Sequence, residues 1–355
     1  MAGLPKEMKR ARKPFILLTL LLSVLFTANL ELIPDQAGRA GGKLSSSRGL
    51  RWGLNAVQAP EAWKVTQGSE SIVVAVIDSG VDGDIEAMKA NMWENSDEIP
   101  NDGRDNDHNG YVDDYHGWDF REDDDRSYSR GDLFYHGTFV AGLVASSYKS
   151  AKGAGGVAPK VKIMDLRFLD SKGKFYTSDW RKLAEAIRYA ADNGAQIINL
   201  SIYASLRPPY YVHRAVREAE RKGALVVGIA GNEGKDVSYL GRWKEMLTVG
   251  AIDRNLNPAY FSNRGPSLDF AAPGVRVVSL RPGGRTSSGS GTSFAAPHVS
   301  GTAALLLSLK PDLSPKRLRE LLADTAQDLG RKGQDDRTGY GLVDADRAVR
   351  SLKAG

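Results

Sequence analysis

The sequence predicts an α/β protein with a mainly parallel central sheet and helices on both faces. Three observations carry this. Near-continuous apolar runs recur along the chain, as in Ser71–Ile77, the pattern of strands covered on both sides. Segments with a 3.6-residue apolar period separate them. Asn193-Gly194 and Lys222-Gly223 stand directly before two of the runs, where a helix is expected to stop and a strand to begin.

Taken in order, residues 1–30 read as a leader. Lys6, Lys9, Arg10, Arg12 and Lys13 precede an uncharged apolar stretch from Phe15 to Leu30. Basic residues stay on the cytoplasmic side, so the rest of the chain is expected to be exported. The leader is either a cleaved signal peptide or a signal anchor, in which case residues 15–33 tether the protein to the outer face of the membrane. Otherwise it is secreted or periplasmic. Residues 31–50, with Pro34, Gly38, Gly41, Gly42 and Ser45-Ser46-Ser47, read as a linker. Residues 51–355 read as one globular domain.

Strands are expected at Ser71–Ile77, Val161–Leu169, Ile197–Ile202, Ala224–Ala230 and Leu247–Ile252. Helices are expected at His136–Ser147, Ser178–Asn193, Tyr211–Lys222, Thr292–Leu309 and Ser314–Ala326. Alternation of this kind builds a sheet with helices on both sides, and ligands bind such sheets at the carboxyl ends of their strands.

Composition narrows the function. The net charge of +5 is concentrated in the leader, and no basic stripe with interleaved aromatics favours nucleic acid. The chain has no cysteine, which excludes disulfides, thiolate metal sites and a Cys nucleophile.

Four segments fall at strand ends or helix starts: Ile77-Asp78-Ser79-Gly80, His136-Gly137-Thr138, Ala230-Gly231-Asn232-Glu233-Gly234, and Gly291-Thr292-Ser293-Phe294-Ala295-Ala296-Pro297-His298. Together they hold the parts of nucleophilic catalysis. A serine hydroxyl needs a base. A histidine can take and return its proton. A buried carboxylate holds the imidazole, and amide donors stabilise an oxyanion. His298 lies inside the last helix and reads as structural; His108, His116 and His213 receive no catalytic role.

In this order the segments resemble the subtilisin family of serine proteases. Trp52-Gly53-Leu54 with Ala59-Pro60-Glu61-Ala62-Trp63, Phe261-Ser262-Asn263, and Ala271-Ala272-Pro273-Gly274 extend the likeness from about Arg51 to Leu352. The resemblance implies a three-layer subtilisin-like fold and a monomeric serine endopeptidase acting on protein or peptide substrates. It implies Asp78 as orienting carboxylate, His136 as base and acid, Ser293 as nucleophile and Asn232 as oxyanion donor. Ser201, Ile202 and Tyr203 resemble one wall of the S1 pocket, with Ala230 and Gly231 on the other. A catalytically impaired, peptide-binding homologue is the alternative. An α/β-hydrolase esterase would need a Gly-x-Ser-x-Gly elbow, which Gly289-Ser290-Gly291 does not supply.

The chain departs from the family at several places. Tyr135 and Phe139 flank His136 where Gly and His are usual. Tyr203 stands where Gly is usual, so a narrowed S1 pocket or a redirected peptide is expected. Phe294 replaces the Met that usually follows the nucleophile.

Asp105-Asn106-Asp107-His108-Asn109-Gly110-Tyr111-Val112-Asp113 follows the opening of an EF-hand loop, with oxygen side chains at alternate positions and Gly at the sharp turn. His116 occupies the twelfth position, so the motif is incomplete. Structural calcium is expected on Asp105, Asp107, Asn109, the Tyr111 carbonyl and Asp113, with Asp102 and Asp114 as further candidates. No organic cofactor is expected.

Overall fold

The computed structural model describes residues 51–126, 135–148 and 154–353. The leader and the linker lie outside these, as do the expectations placed on them. Among the described residues no helix is long and apolar enough to cross a membrane.

Two short helices, α1 (Trp52–Ala56) and α2 (Ala59–Ala62), lead into β1 (Val73–Asp78). There follow β2 (Gly117–Asp119), α3 (His136–Ala145), β3 (Lys162–Arg167), α4 (Trp180–Asp192), β4 (Ile197–Leu200), α5 (Tyr210–Arg221), β5 (Leu225–Ile229), β6 (Met246–Ile252) and β7 (Phe270–Pro273). A hairpin, β8 (Val277–Arg281) and β9 (Arg285–Gly289), precedes α6 (Thr292–Leu309), α7 (Pro315–Thr325) and α8 (Ala345–Ser351).

The seven-stranded sheet has the order β2-β3-β1-β4-β5-β6-β7, and every pairing in it is parallel. From β1 the chain passes to the sheet edge at β2, steps back inward through β3, then crosses to the other side of β1 and builds outward from β4 to β7. β1 and β4 are neighbours in the sheet at the point of reversal, the place where ligands bind in sheets of this kind.

The apolar runs now have a physical reason. Successive side chains of a strand face opposite sides, and both sides of this sheet are covered. On β1, Val74 and Val76 enter the core that contains Phe139 of α3 and Val299 and Ala303 of α6. Val73, Ala75 and Ile77 enter a second core against Leu183 and Ile187 of α4 and Val216 of α5. The fold is thus the three-layer α/β architecture expected. α4 and α5 end where Gly194 (φ +77°) and Gly223 (φ +95°) take the left-handed conformation, as the helix-stop signals required.

Some bounds differ from expectation. The β4 strand stops at Leu200, so Ser201 and Ile202 lie beyond it. β2, β7, the β8–β9 hairpin, α1, α2 and α8 were not anticipated.

Candidate active site

Asp78 is the last residue of β1, and its main-chain oxygen accepts from Phe168 and Leu169 at 2.7 and 2.9 Å. One carboxylate oxygen accepts the N–H of Ser79 at 2.8 Å. His136 opens α3. Gly137 lets that helix approach the turn after β1, because a Cβ there would stand 2.4 Å from the Gly80 oxygen; the Ser79 hydroxyl accepts the Gly137 N–H at 3.0 Å. This close packing brings His136 Nδ1 to 2.8 and 2.9 Å from the two carboxylate oxygens of Asp78. Both side chains have no solvent exposure. A carboxylate can only accept from a neutral imidazole, so Nδ1 carries the proton. The ring's other nitrogen, Nε2, is the one that can take a proton from a hydroxyl.

Ser293 is the second residue of α6. The Phe294 ring lies 5.2 Å from the His136 ring and 4.3 Å from the Phe139 ring, centroid to centroid. The start of α6 is therefore packed against the imidazole. The Ser293 hydroxyl is buried and has no hydrogen-bond partner among the described residues. First-turn amides of a helix have no acceptor within it, which leaves the Ser293 N–H for an incoming oxygen.

Asn232 follows β5 through a turn at Gly231. Its Oδ1 accepts both the N–H and the hydroxyl of Thr292 at 2.8 Å. A main-chain N–H can only donate, so the amide orientation is fixed and Nδ2 is left as donor. Nδ2 and the Ser293 nitrogen lie 3.6 and 3.8 Å from the place a Cβ on Gly291 would fill. Glycine keeps that space open between the two donors.

Ser201 holds α6 from below. Pro297 lies inside α6 and has no N–H for the carbonyl four residues back, which is that of Ser293. The Ser201 hydroxyl donates to it instead, at 3.0 Å. Ser201 Oγ accepts from Asn199 Nδ2, and Asn199 Oδ1 accepts from the Ser300 hydroxyl. Sequence reading placed Ser201 in a pocket wall and missed this role, although Pro297 is a visible signal that the Ser293 carbonyl needs another donor.

Tyr203 and Gly231 meet across the ends of β4 and β5. A Cβ on Gly231 would stand 2.7 Å from Tyr203 Cε2, so the ring lies flush on the opposite wall. Its hydroxyl donates to Glu233 at 2.7 Å. Partial burial and that carboxylate push the phenol above its ordinary pKa. Ile202 and Ala230 are buried beside it.

In the acidic loop, Asp105 and Asp107 come together with Glu98, which the motif did not include. Asn109 turns its amide inward, accepting from Tyr111 N–H and donating to Asp107 and Asp114. The Tyr111 ring packs edge-on against Trp118 and Tyr189. Asp113 faces the upstream turn, accepting the N–H groups of Asp102 and Gly103 at 3.0 and 2.9 Å.

The fold and this site define a hydrolase of the serine endopeptidase class, and comparison with known proteins agrees. The subtilase family's sequence profile matches residues 69–341. The chain is 36% identical over 303 residues to a thermophilic serine proteinase of Bacillus sp. (strain AK1), covering 85% of this chain and 67% of that protein. It is 36% identical over 302 residues to the halolysin-like extracellular serine protease Nep of Natrialba magadii, covering 85% of this chain and 51% of that protein. It is 33% identical over 305 residues to subtilisin BL of Lederbergia lenta, covering 86% of this chain and all of that protein. The chain belongs to the subtilase family.

Proposed function

We propose that this protein cleaves peptide bonds in proteins outside the cytoplasm, as a monomer, through an acyl-enzyme formed on Ser293. The observation that carries the reading is the buried Asp78–His136 pair, with its imidazole packed on Phe294, the residue after the nucleophile.

In this reading the Ser293 oxygen attacks the scissile carbonyl as His136 Nε2 takes its proton. Asp78 keeps the imidazole in one tautomer and stabilises the imidazolium. The oxyanion is met by Asn232 Nδ2 and the Ser293 N–H, both fixed before substrate arrives. His136 then protonates the leaving nitrogen, the C–N bond breaks, and water releases the acyl group by the same steps in reverse order. An extended substrate pairs with chain edges beside the cleft, its P1 side chain entering between Ser201–Tyr203 and Ala230–Gly231. Tyr203 narrows that entry, so small P1 residues are preferred.

Export is supported by the basic-then-apolar leader and by the printed description of Nep as extracellular. The test is labelling with a fluorophosphonate, mapped by mass spectrometry, alongside turnover of an unfolded protein substrate. Modification of Ser293 with turnover, both lost in Ser293→Ala, supports the reading. Peptide binding with neither labelling nor turnover would replace it with an impaired, peptide-binding homologue.

A further inference from the structure

The β8–β9 hairpin packs against the starts of α3 and α6 and carries a charge arrangement that the mechanism does not use. Arg281, the last residue of β8, and Arg285, the first of β9, are direct partners across the hairpin end. Partners in an antiparallel ladder share a face, and successive residues of a strand alternate between faces. Arg281, Arg285, Ser279 and Gly289 therefore lie on the same face. At one end of it, a Cβ on Gly289 would stand 2.6 Å from the Phe294 ring. Midway, the Ser279 hydroxyl donates to the Phe139 carbonyl of α3 at 2.7 Å. At the other end, the Arg281 guanidinium lies over the Tyr135 ring, 3.8 Å from its centroid. Tyr135 is the residue before His136 and stands where Gly is usual, so this stack belongs to the present chain.

Like charges set opposite each other across a ladder destabilise it, and among the described residues neither guanidinium forms an ion pair. Asp82 reaches the same hairpin end, but its Oδ2 accepts the Gly283 N–H at 2.8 Å. The Asp82 N–H donates to the Thr138 hydroxyl of α3 at 2.9 Å. The hairpin is thus pinned to the turn after β1 and to the helix that carries His136. Tyr135 is only 8% exposed, so the ring is a fixed platform, and a cation over an aromatic face is attracted to it. A guanidinium held this way keeps N–H groups at its rim, the fork that takes a carboxylate in two parallel bonds.

The catalytic reading above gives the direction of the substrate. P1 enters at the ends of β4 and β5. The leaving nitrogen takes its proton from His136, so the chain beyond the cleaved bond departs past that ring. His136 packs on Phe294, and Phe294 packs on Gly289 of the hairpin. The departing segment is thereby led along the face that ends in the two arginines.

We propose that Arg281, with Arg285 beside it, binds an acidic side chain of the substrate on the leaving-group side of the cleaved bond. The preferred substrates are then proteins that carry Asp or Glu shortly after the bond. The site itself rests on the hairpin; only the side of the bond rests on the catalytic reading.

The test uses peptides identical up to the cleaved bond, with Asp, Asn or Lys placed in turn at successive positions after it. At low salt, kcat/KM should favour Asp over Asn at one of these positions by roughly fivefold or more, the scale of a well-formed charge pair. The ratio should shrink toward one as about 1 M salt screens the pair. Arg281→Gln should bring it to within about twofold of one. Arg281→Glu should make Lys preferred over Asp, an inversion that a damaged fold does not produce. The same peptides, dye-labelled, are also bound to the full chain with Ser293→Ala, and anisotropy should give the same order. Ratios near one at every position in both measurements overturn the proposal, as does selectivity that persists in Arg281→Gln. Charge-selective binding that needs Arg281, in a protein that neither labels with fluorophosphonate nor turns over substrate, would keep this site and remove the catalytic reading.

Discussion

The Ser201 hydroxyl donates to the main-chain oxygen of Ser293 across 3.0 Å, filling the place left by the missing N–H of Pro297. Removing it strands a buried carbonyl, which costs about 1–3 kcal/mol, directly beneath the Ser293 hydroxyl. Ser201→Ala should lower the unfolding free energy by that amount and lower kcat more than it changes KM. Pro297→Ala returns a main-chain donor to the same oxygen. In that background Ser201→Ala should cost distinctly less, and a double-mutant cycle by denaturant unfolding measures the difference. Equal costs in both backgrounds would show that the proline and the serine are not compensating partners.

The contact between Tyr203 and Gly231 makes a steric prediction about P1. Tyr203→Gly should raise kcat/KM for peptides with Phe at P1 relative to Ala at P1 by roughly tenfold or more, the range that side-chain volume in an apolar pocket supplies. Tyr203→Phe keeps the ring and loses only the bond to Glu233, so its profile should stay with the parent. A parent enzyme that already favours large aromatic P1 residues would contradict the reading.

Phe294 fills the space between the His136 and Phe139 rings and has no sulfur to oxidise. Activity should survive mild peroxide. Phe294→Met places a thioether against the imidazole, and its oxidation to a polar sulfoxide should make activity fall with peroxide dose. Parent and variant losing activity at the same rate would place the sensitive group elsewhere.

The sheet and its helices were legible because β1 and β5 are unbroken apolar runs and α4 and α5 each stop at a Gly; α6 matches its expected span from Thr292 to Leu309. What escaped was short or held by partners. β2 has three residues and lies at the sheet edge. β7 occupies the other edge and ends on a proline. β9 reads Arg-Thr-Ser-Ser-Gly and is a strand through pairing with β8, not through its own apolar pattern. The four candidate-site segments could be picked out because each keeps its polar residue beside a glycine or a helix start. Glu98 was not, because it lies seven residues before Asp105, and only the return of the loop brings the two together.

His298 gives the molecule an acid limit that is independent of the triad. It is 1% exposed, its Nδ1 donates to the Phe294 carbonyl at 2.9 Å, and its Nε2 lies 2.7 Å from the place a Cβ on Gly53 would fill. Burial pushes the imidazole down to about 4 from an ordinary 6.5. Between those values the unfolded chain binds a proton that the native state refuses. The unfolded state therefore gains from acidification, and stability rises with pH across this window. The contribution is present above pH 6.5 and is lost as pH falls toward 4, a change on the order of 3 kcal/mol. Denaturant midpoints of an inactive Ser293→Ala protein, taken from pH 7 to pH 4, should show this slope. His298→Gln should flatten it by close to one proton, because the carboxylates titrate alike in both proteins. Identical slopes in the two proteins would show that His298 does not set the acid limit.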